Sequence, residues 1–176
     1  MELQQALITR RSVRTYENRP VEKEKLDEMI NAAQLAPSWK NSQTSRYYIA
    51  QGKALEAVRA ALPESNQARV KDASVLIVQT FVTGCSGFNA DGTPTNELGD
   101  GWGCYDAGLQ AMCMLLKASE LGLSSLIMGL RDAGTLREAL DIPESEAVIS
   151  VIAVGYSDAH PAIKQRKSPE EIAHFI

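Results

Sequence analysis

Between residues 22 and 36 the apolar side chains Leu26, Met29, Ile30 and Ala33 recur at i, i+3, i+4 and i+7, while the opposite face carries Glu, Lys, Asp and Asn. This spacing predicts an amphipathic helix. Pro37 ends it, because the residue before a proline avoids the helical region. Leu3, Ala6 and Leu7 mark a shorter amphipathic stretch ahead of it. Two runs have another pattern. Ser74 to Val82 and Val148 to Val154 are nearly continuous apolar, β-branched segments, as expected of strands buried on both faces. Tyr47 to Ala50 and Leu123 to Met128 are shorter strand candidates, residues 53 to 61 look helical, and 65 to 70 fit either loop or helix. Residues 104 to 121 are apolar nearly all round, with Leu109, Met112, Cys113 and Leu116 on one side and Ala107, Ala111, Met114, Leu115 and Ala118 on the other. Such a helix is buried at the centre of a fold or in a subunit interface, and Gly122 is a suitable stop. Thr135-Leu136-Arg137-Glu138 fits a capping box opening a helix to about Leu140, and a short helix from about Pro169 to Phe175 closes the chain. Four short strands among longer helices predict a layered α/β or α+β fold, with strands too few for a clean doubly wound domain.

Two stretches lack either period. Residues 84 to 103 hold six glycines and Pro94, which reads as a lid or a flap contacting a partner, since loops of this length are usually functional. Within it Gly99-Asp100-Gly101-Trp102-Gly103 is spaced GxGxG and follows no strand directly, so it is not a dinucleotide fingerprint. Residues 158 to 176 read as a basic tail, extended up to about Pro169 and ending in the closing helix.

Composition narrows the function classes. A chain of 176 residues is expected to be one domain. Its net charge of −4 argues against a non-specific nucleic-acid binder. Three cysteines with no CxxC pair and only two histidines suggest neither a zinc site nor a disulfide framework. No apolar run approaches the roughly 20 residues of a membrane span, and no signal peptide is recognisable. A cytoplasmic protein is expected.

Against that acidic background, Thr9-Arg10-Arg11-Ser12-Val13-Arg14 puts three guanidiniums and a hydroxyl within five residues. Taken alone, the cluster is either a solvated patch at a helix C-terminus or an oxyanion site, since Arg binds oxyanions with two parallel hydrogen bonds. His160 and His174 read as surface residues, and no Ser-His-Asp set can be assembled. Asp106 reads as a first-turn dipole partner rather than an acid catalyst, and Cys104 and Cys113 as core cysteines. Trp102 and Phe88 suit either stacking on a substrate or packing an interface.

Several pieces resemble one family in the same order along the chain. Arg10-Arg11-Ser12-Val13-Arg14 with Tyr16 and Pro20, then Ala36-Pro37-Ser38 with Asn41 and Gln43, resemble the opening of the flavin-dependent nitroreductases. Ser65-Asn66-Gln67 before a buried strand, Leu121 to Gly129, and Val154-Gly155-Tyr156 leading to Lys164 and Arg166 are similar to later parts of the same family. The resemblance implies an α+β fold with a mostly antiparallel central sheet flanked by helices, holding FMN non-covalently at the interface of an intertwined homodimer. It also implies that Arg10, Lys164 and Arg166 meet the FMN phosphate and that Ser12 adds a hydroxyl to the phosphate or the ribityl chain, with Arg11 contributing mainly backbone. A phosphate carries nearly two negative charges, and each cationic contact is worth about 4 kcal/mol at roughly 4 Å in an effective dielectric near 20, before desolvation.

Arg14 and Arg69 are implied at the N1–C2=O edge, where a cation favours the anionic reduced flavin, and Asn66 at the pyrimidine edge. Pro37, Ser38, Trp39 and Asn41 match a segment that reaches the partner's flavin. The backbone at Met128 and Gly129 is implied to approach N5. The expected activity is hydride transfer from NADH or NADPH through FMN to nitro, quinone or similar small-molecule acceptors, by ping-pong turnover. The alternatives are a specialised relative (a reductive dehalogenase or a flavin-cannibalising enzyme), a non-catalytic flavin storage or sensor module, or a protein that binds a phosphate ligand without flavin. Trp39-Lys40, Thr44-Ser45-Arg46 and Met128 depart from frequent family residues, and these departures bear on the acceptor rather than on flavin binding.

Overall fold

The computed structural model describes residues 1–176. The two β-branched runs form the middle of a four-stranded sheet. In chain order the elements are α1 (Leu3–Thr9), α2 (Lys23–Gln34), a 3-10 turn (Trp39–Asn41), β1 (Ser45–Ala50), α3 (Lys53–Ala60), α4 (Glu64–Arg69), β2 (Val75–Val82), α5 (Gly101–Glu120), β3 (Ser124–Met128), α6 (Ala133–Leu140), β4 (Glu146–Gly155) and α7 (Pro169–Ile172). The strand order is β1-β2-β4-β3, and every neighbouring pair is antiparallel. Gln79 faces Ser150 and Thr80 faces Val148, so Ile149 is the extra residue of a β-bulge.

Alternation along the strands divides the core in two. Leu76, Val78, Val151, Ala153, Leu126 and Met128 cover one face and pack against Val58 of α3, Leu136 of α6 and Val70. Val75, Ile77, Ile152 and Val154 cover the other face, against Leu26, Met29 and Ala33 of α2 and Ala111, Met114 and Ala118 of α5. Each fully buried Leu, Ile, Val or Met contributes about 1.5–3 kcal/mol. Helices therefore flank both faces of an antiparallel sheet, the α+β architecture expected. One buried polar cluster is satisfied within it. The Glu146 carboxylate accepts from the Tyr48 hydroxyl at 3.0 Å and from Thr80 Oγ1.

Several local expectations need correction. Residues 65 to 69, open between loop and helix in sequence, lie in helix α4 (Glu64–Arg69), and Val70 sits just beyond its end. The helix read as 104 to 121 starts three residues earlier, at Gly101, which shortens the glycine-rich loop. The cap of α6 is Asp132, whose side chain accepts from the Thr135 amide at 3.0 Å, so Thr135 lies inside the helix rather than capping it. The last helix spans only Pro169–Ile172, opened by a capping box of Ser168 and Glu171. The all-round apolar helix is also divided. Ala107, Ala111, Met114, Leu115 and Ala118 are buried, but Tyr105, Gly108 and Met112 are exposed and Leu109 half-buried along the opposite stripe. Cys104 is exposed and Cys113 only partly covered, so neither is a core cysteine. Partial burial, reinforced by Asp100, pushes the Cys104 thiol up, away from a reactive thiolate.

Gly103 shows why glycine sits inside α5. A Cβ there would lie 2.2 Å from the ring of Phe81, which is itself buried on β2. The missing side chain lets the first turns of α5 close onto the sheet. Gly103→Ala is expected to overpack this contact and cost about 1–3 kcal/mol, read as a lower urea midpoint with an unchanged slope. An unchanged midpoint would mean that the Phe81 ring swings aside freely.

Candidate functional site

The backbone leaves α1 at Thr9 and turns extended at Arg10 (φ −54°, ψ 129°). Ser12 then pairs with Ser125 of β3 in a parallel bridge, and the Val13 amide donates to the Ser125 carbonyl at 3.0 Å. Extended backbone alternates its side chains, so Val13 is buried while Ser12 and Arg14 face outward. The buried Tyr16 hydroxyl donates to the Val13 carbonyl at 3.1 Å and holds this registration. Burial, opposed by nearby Arg14, pushes that phenol well above its usual value, so it remains a neutral donor.

The far end of the chain returns to the same place. Arg10, Arg11, Ser12 and Arg14 line an open cleft of about 370 Å³ together with Lys164 and Arg166 of the tail, over an apolar side of Leu7, Ile8 and Ile163. None of the five cations has a carboxylate partner within 4.0 Å. Arg11 donates to the Arg10 carbonyl at 2.7 Å and Arg14 to the Ser12 carbonyl at 3.1 Å, which satisfies the local backbone without neutralising charge. The Arg10 Nε is buried and finds no acceptor in the chain. A buried donor without an acceptor is costly, and five unpaired cations leave this cleft with an uncompensated positive charge in an otherwise acidic protein. The cleft adjoins a second cavity of about 490 Å³ that shares Arg10 and Arg11 and adds Ser119 of α5 and His160. His160 and His174 are both exposed. No group of His, Cys, Asp or Glu is arranged to hold a metal ion, and no helix is long and apolar enough to cross a membrane.

Pro37, Ser38, Trp39 and Asn41 are not on this cleft. The Trp39 amide donates to Asp106 near the start of α5 at 2.9 Å, and the same carboxylate oxygen accepts from Ser86 at 2.7 Å. Asp106 is thus a buried tie between two loops, not the first-turn dipole partner expected. Ser119 lies thirteen residues further along α5, a span of about 20 Å at 1.5 Å per residue. Trp39 packs on Trp102 at 4.7 Å between ring centroids, and Trp102 meets Tyr105 edge-on at 5.7 Å. Lys40, Asn41 and Gln43 all take positive φ, at 45°, 58° and 51°. Left-handed non-glycine residues cost about 1–3 kcal/mol each and gather at functional sites.

Asn66 and Arg69 lie on α4, where Arg69 donates to the Asn66 side-chain oxygen at 2.8 Å. Met128 is the last residue of β3 and Gly129 opens the turn beyond it. The Asp132 amide closes this turn onto the Ala61 carbonyl at the end of α3, at 2.8 Å. Between Met128 and Asp132 the amides of Gly129, Leu130 and Arg131 donate to nothing in the chain. Arg131, which no sequence pattern singled out, bridges the carbonyls of Gly129 at 3.1 Å and Val148 at 2.5 Å. The chain therefore unites Arg10, Arg11, Ser12, Arg14, Lys164 and Arg166 at one cleft. It keeps Asn66 with Arg69, and Met128 with Gly129, as separate pairs, and holds residues 37 to 41 toward the opposite end of α5.

Comparison with known proteins bears on the whole arrangement. A protein of Methanothermobacter thermautotrophicus assigned as an NADH dehydrogenase/NAD(P)H nitroreductase is 29% identical over 98% of this chain and 86% of its own length. The FMN reductase [NAD(P)H] of Bacillus subtilis is 27% identical over 98% of this chain and 73% of its own. A solved structure of a nitroreductase-assigned protein of Desulfovibrio desulfuricans in complex with FMN shares the fold, with a TM-score of 0.81 at 24% identity, covering 100% of this chain and 98% of that one. Residues 7–156, from the end of α1 to the strand beside Tyr16, match the profile of the Nitroreductase family, and the chain belongs to that family.

Proposed function

We propose that the whole chain is a single FMN-binding domain acting as an NAD(P)H-dependent oxidoreductase in the cytoplasm, as a homodimer. The observation that carries this reading is the cleft of five unpaired cations with the buried, unpartnered Nε of Arg10. A phosphate monoester supplies what that donor set lacks: two negative charges and three strong acceptors. The residues present thus fit FMN, and the Bacillus subtilis relative, an FMN reductase, is named for acting on the same molecule. FMN, when bound, supplies a two-electron carrier that takes hydride at N5 from NADH or NADPH and passes it to a nitro, quinone or similar acceptor.

The chain's own task is placement and electrostatics. Arg10, Ser12, Lys164 and Arg166 hold the phosphate, and Arg11 donates to the backbone between them. Arg14, and Arg69 with Asn66, serve the N1–C2=O and pyrimidine edge. The free amides after Met128 serve the N5 edge, where a Cβ on Gly129 would meet nothing within 4 Å, so approach is open. Pro37, Ser38, Trp39 and Asn41 serve the partner's flavin. The separation of this segment from the cationic cleft along α5 supports that assignment, as does the uncovered stripe of Tyr105, Gly108 and Met112. Residues 84 to 100 form the lid that borders the acceptor, through Trp102 just beyond it.

The test is direct. The purified protein is expected to take up FMN in equilibrium dialysis, to bleach anaerobically with NADH or NADPH, and to recover colour with a nitroaromatic or quinone. Failure to take up FMN would overturn the reading. Uptake without bleaching by either nucleotide would favour a flavin-holding module instead. Because the chain's only tryptophans, Trp39 and Trp102, are in contact, FMN titration is also expected to quench most of the tryptophan fluorescence. Unquenched emission at saturating FMN would remove residues 37 to 41 from the flavin site.

A further inference from the structure

Residues 84 to 100 are bonded chiefly to themselves. Phe88 and Pro94 pair in an antiparallel bridge, and the Thr95 amide and hydroxyl both donate to the Gly87 carbonyl at 2.7 Å. The Asp91 carboxylate accepts from the Thr93 amide at 2.9 Å and from its hydroxyl at 2.6 Å, and the Gly84 amide donates to Asp100 at 2.8 Å. The Asn96 side chain accepts from the Trp102 indole N–H, on the first turn of α5, at 2.9 Å. A loop with so many internal bonds holds its own shape and moves as one body about its junctions with β2 and α5.

One side chain carries its hydrogen bonding beyond these flanks. The buried Ser86 hydroxyl lies 2.7 Å from Asp106 Oδ2, 2.6 Å from Ser42 Oγ and 3.4 Å from Thr44 Oγ1. A carboxylate only accepts, so the single Ser86 proton goes to Asp106, while Ser42 and Thr44 donate to the Ser86 oxygen. The same Asp106 oxygen accepts from the Trp39 amide at 2.9 Å. Asp106 and Thr44 are buried as well, and hydrogen bonds to a charged group are strongest away from water. The loop also lies on the tryptophan pair. A Cβ on Gly87 would fall 2.5 Å from the Trp102 ring, and Trp102 packs on Trp39.

We infer that Ser86 is a positioning residue that sets the size of the acceptor. Its hydroxyl pins the loop of residues 84 to 100 to the segment of residues 37 to 44. A compact acceptor reacts beneath the pinned loop, and a larger one only when the bond to Asp106 breaks and the loop lifts. This rests on the proposed FMN reading, in which that segment and the loop border one flavin. Loss of a hydrogen bond to a charged group raises the open population by about tenfold or more. The bond from the Trp39 amide to Asp106 does not pass through Ser86, so the flavin segment keeps its own anchor when the loop is released.

The experiment compares wild type and Ser86→Ala, each loaded with FMN, reduced anaerobically with dithionite and then mixed with p-benzoquinone or with the three-ring phenanthrenequinone. Each quinone takes a hydride and one solvent proton to give the hydroquinone, leaving the flavin oxidised, and no nucleotide enters the measurement. The ratio of the two reoxidation rate constants, phenanthrenequinone over benzoquinone, is expected to rise about tenfold in Ser86→Ala. FMN affinity, set at the cationic cleft that Ser86 does not line, is expected to stay within about threefold of the wild type. The amount of folded protein cancels in the ratio, so destabilisation alone does not move it. An unchanged or lower ratio overturns the inference, as does a phenanthrenequinone that neither protein reduces. If Ser86→Ala does not fold, Ser42→Ala serves instead, since it removes a donor to the Ser86 oxygen and leaves Asp106 untouched. A smaller rise then supports the role, and no rise overturns it. Wild-type protein that takes up no FMN, or whose reduced flavin reacts with neither quinone, overturns both this role and the function it rests on, before any variant is compared.

Discussion

Arg10→Ala is expected to weaken FMN binding on the order of a hundredfold, with little change in the folding of the apoprotein. Arg10 lines both cavities just past the end of α1, with its Nε already buried and unpartnered. Desolvation of that donor is thus a cost already borne by the free protein, and the phosphate recovers it on binding. Hydrogen bonds to charged groups contribute about 1.5–3 kcal/mol each, and 2.8 kcal/mol corresponds to roughly a factor of a hundred. Apoprotein stability should hold or rise, because the substitution removes an unsatisfied buried donor. Equilibrium dialysis of FMN and urea unfolding of the apoprotein, run together, separate the two quantities. Equal flavin retention by variant and wild type would remove Arg10 from the site.

Met112→Glu is expected to convert the protein to a monomer that no longer retains FMN. Met112 lies at the middle of the α5 stripe that the single chain leaves open, beside Gly108 and Leu109. A carboxylate there is harmless in water, so the monomer should fold. Between two apolar helices it would be an unpaired buried charge, which costs several kcal/mol. Light scattering at matched concentration reads the assembly, and flavin absorbance after gel filtration reads retention. A dimeric Met112→Glu would place the interface elsewhere. A monomer that keeps FMN as tightly as the wild type would show that residues 37 to 41 of a second chain are not needed.

Much of the scaffold was legible because its determinants are local. The runs at Ser74–Val82 and Val148–Val154 have no polar alternation, and only a doubly buried strand accepts that. Leu26, Met29 and Ala33 announce one face of α2 by spacing alone. Other features misled because one residue type serves two ends. Gly101 and Gly103 read as loop glycines by propensity, whereas Gly103 is in α5 to admit the Phe81 ring. Thr135 with Glu138 satisfies the pattern of a capping box, but Asp132, three residues earlier, takes the capping bond. Cys104 reads as buried because the exposed stripe of α5 is as apolar as its buried one, and Asp106 reads as a first-turn residue because nothing in the sequence marks the true start of α5 at Gly101. Of the site, Arg10 to Arg14 are legible as a cluster since they are neighbours in sequence. Their meeting with Lys164 and Arg166 depends on the path of the tail, which no period encodes. Arg131 is invisible in sequence because its partners are two carbonyls, and every residue has one.

The opposite placement of the two functional segments along α5 has a genetic consequence. In the proposed dimer each chain would donate its cationic end to one flavin and its Trp39 end to the other. A chain carrying Arg10→Ala and a chain carrying a disrupted Trp39 segment are each inactive as homodimers. Mixed in one cell they form hybrids in which both lesions fall on the same site, and the remaining site is built from two undamaged ends. Two null alleles of this protein should therefore complement each other in trans, while two alleles damaged at the same end of α5 should not.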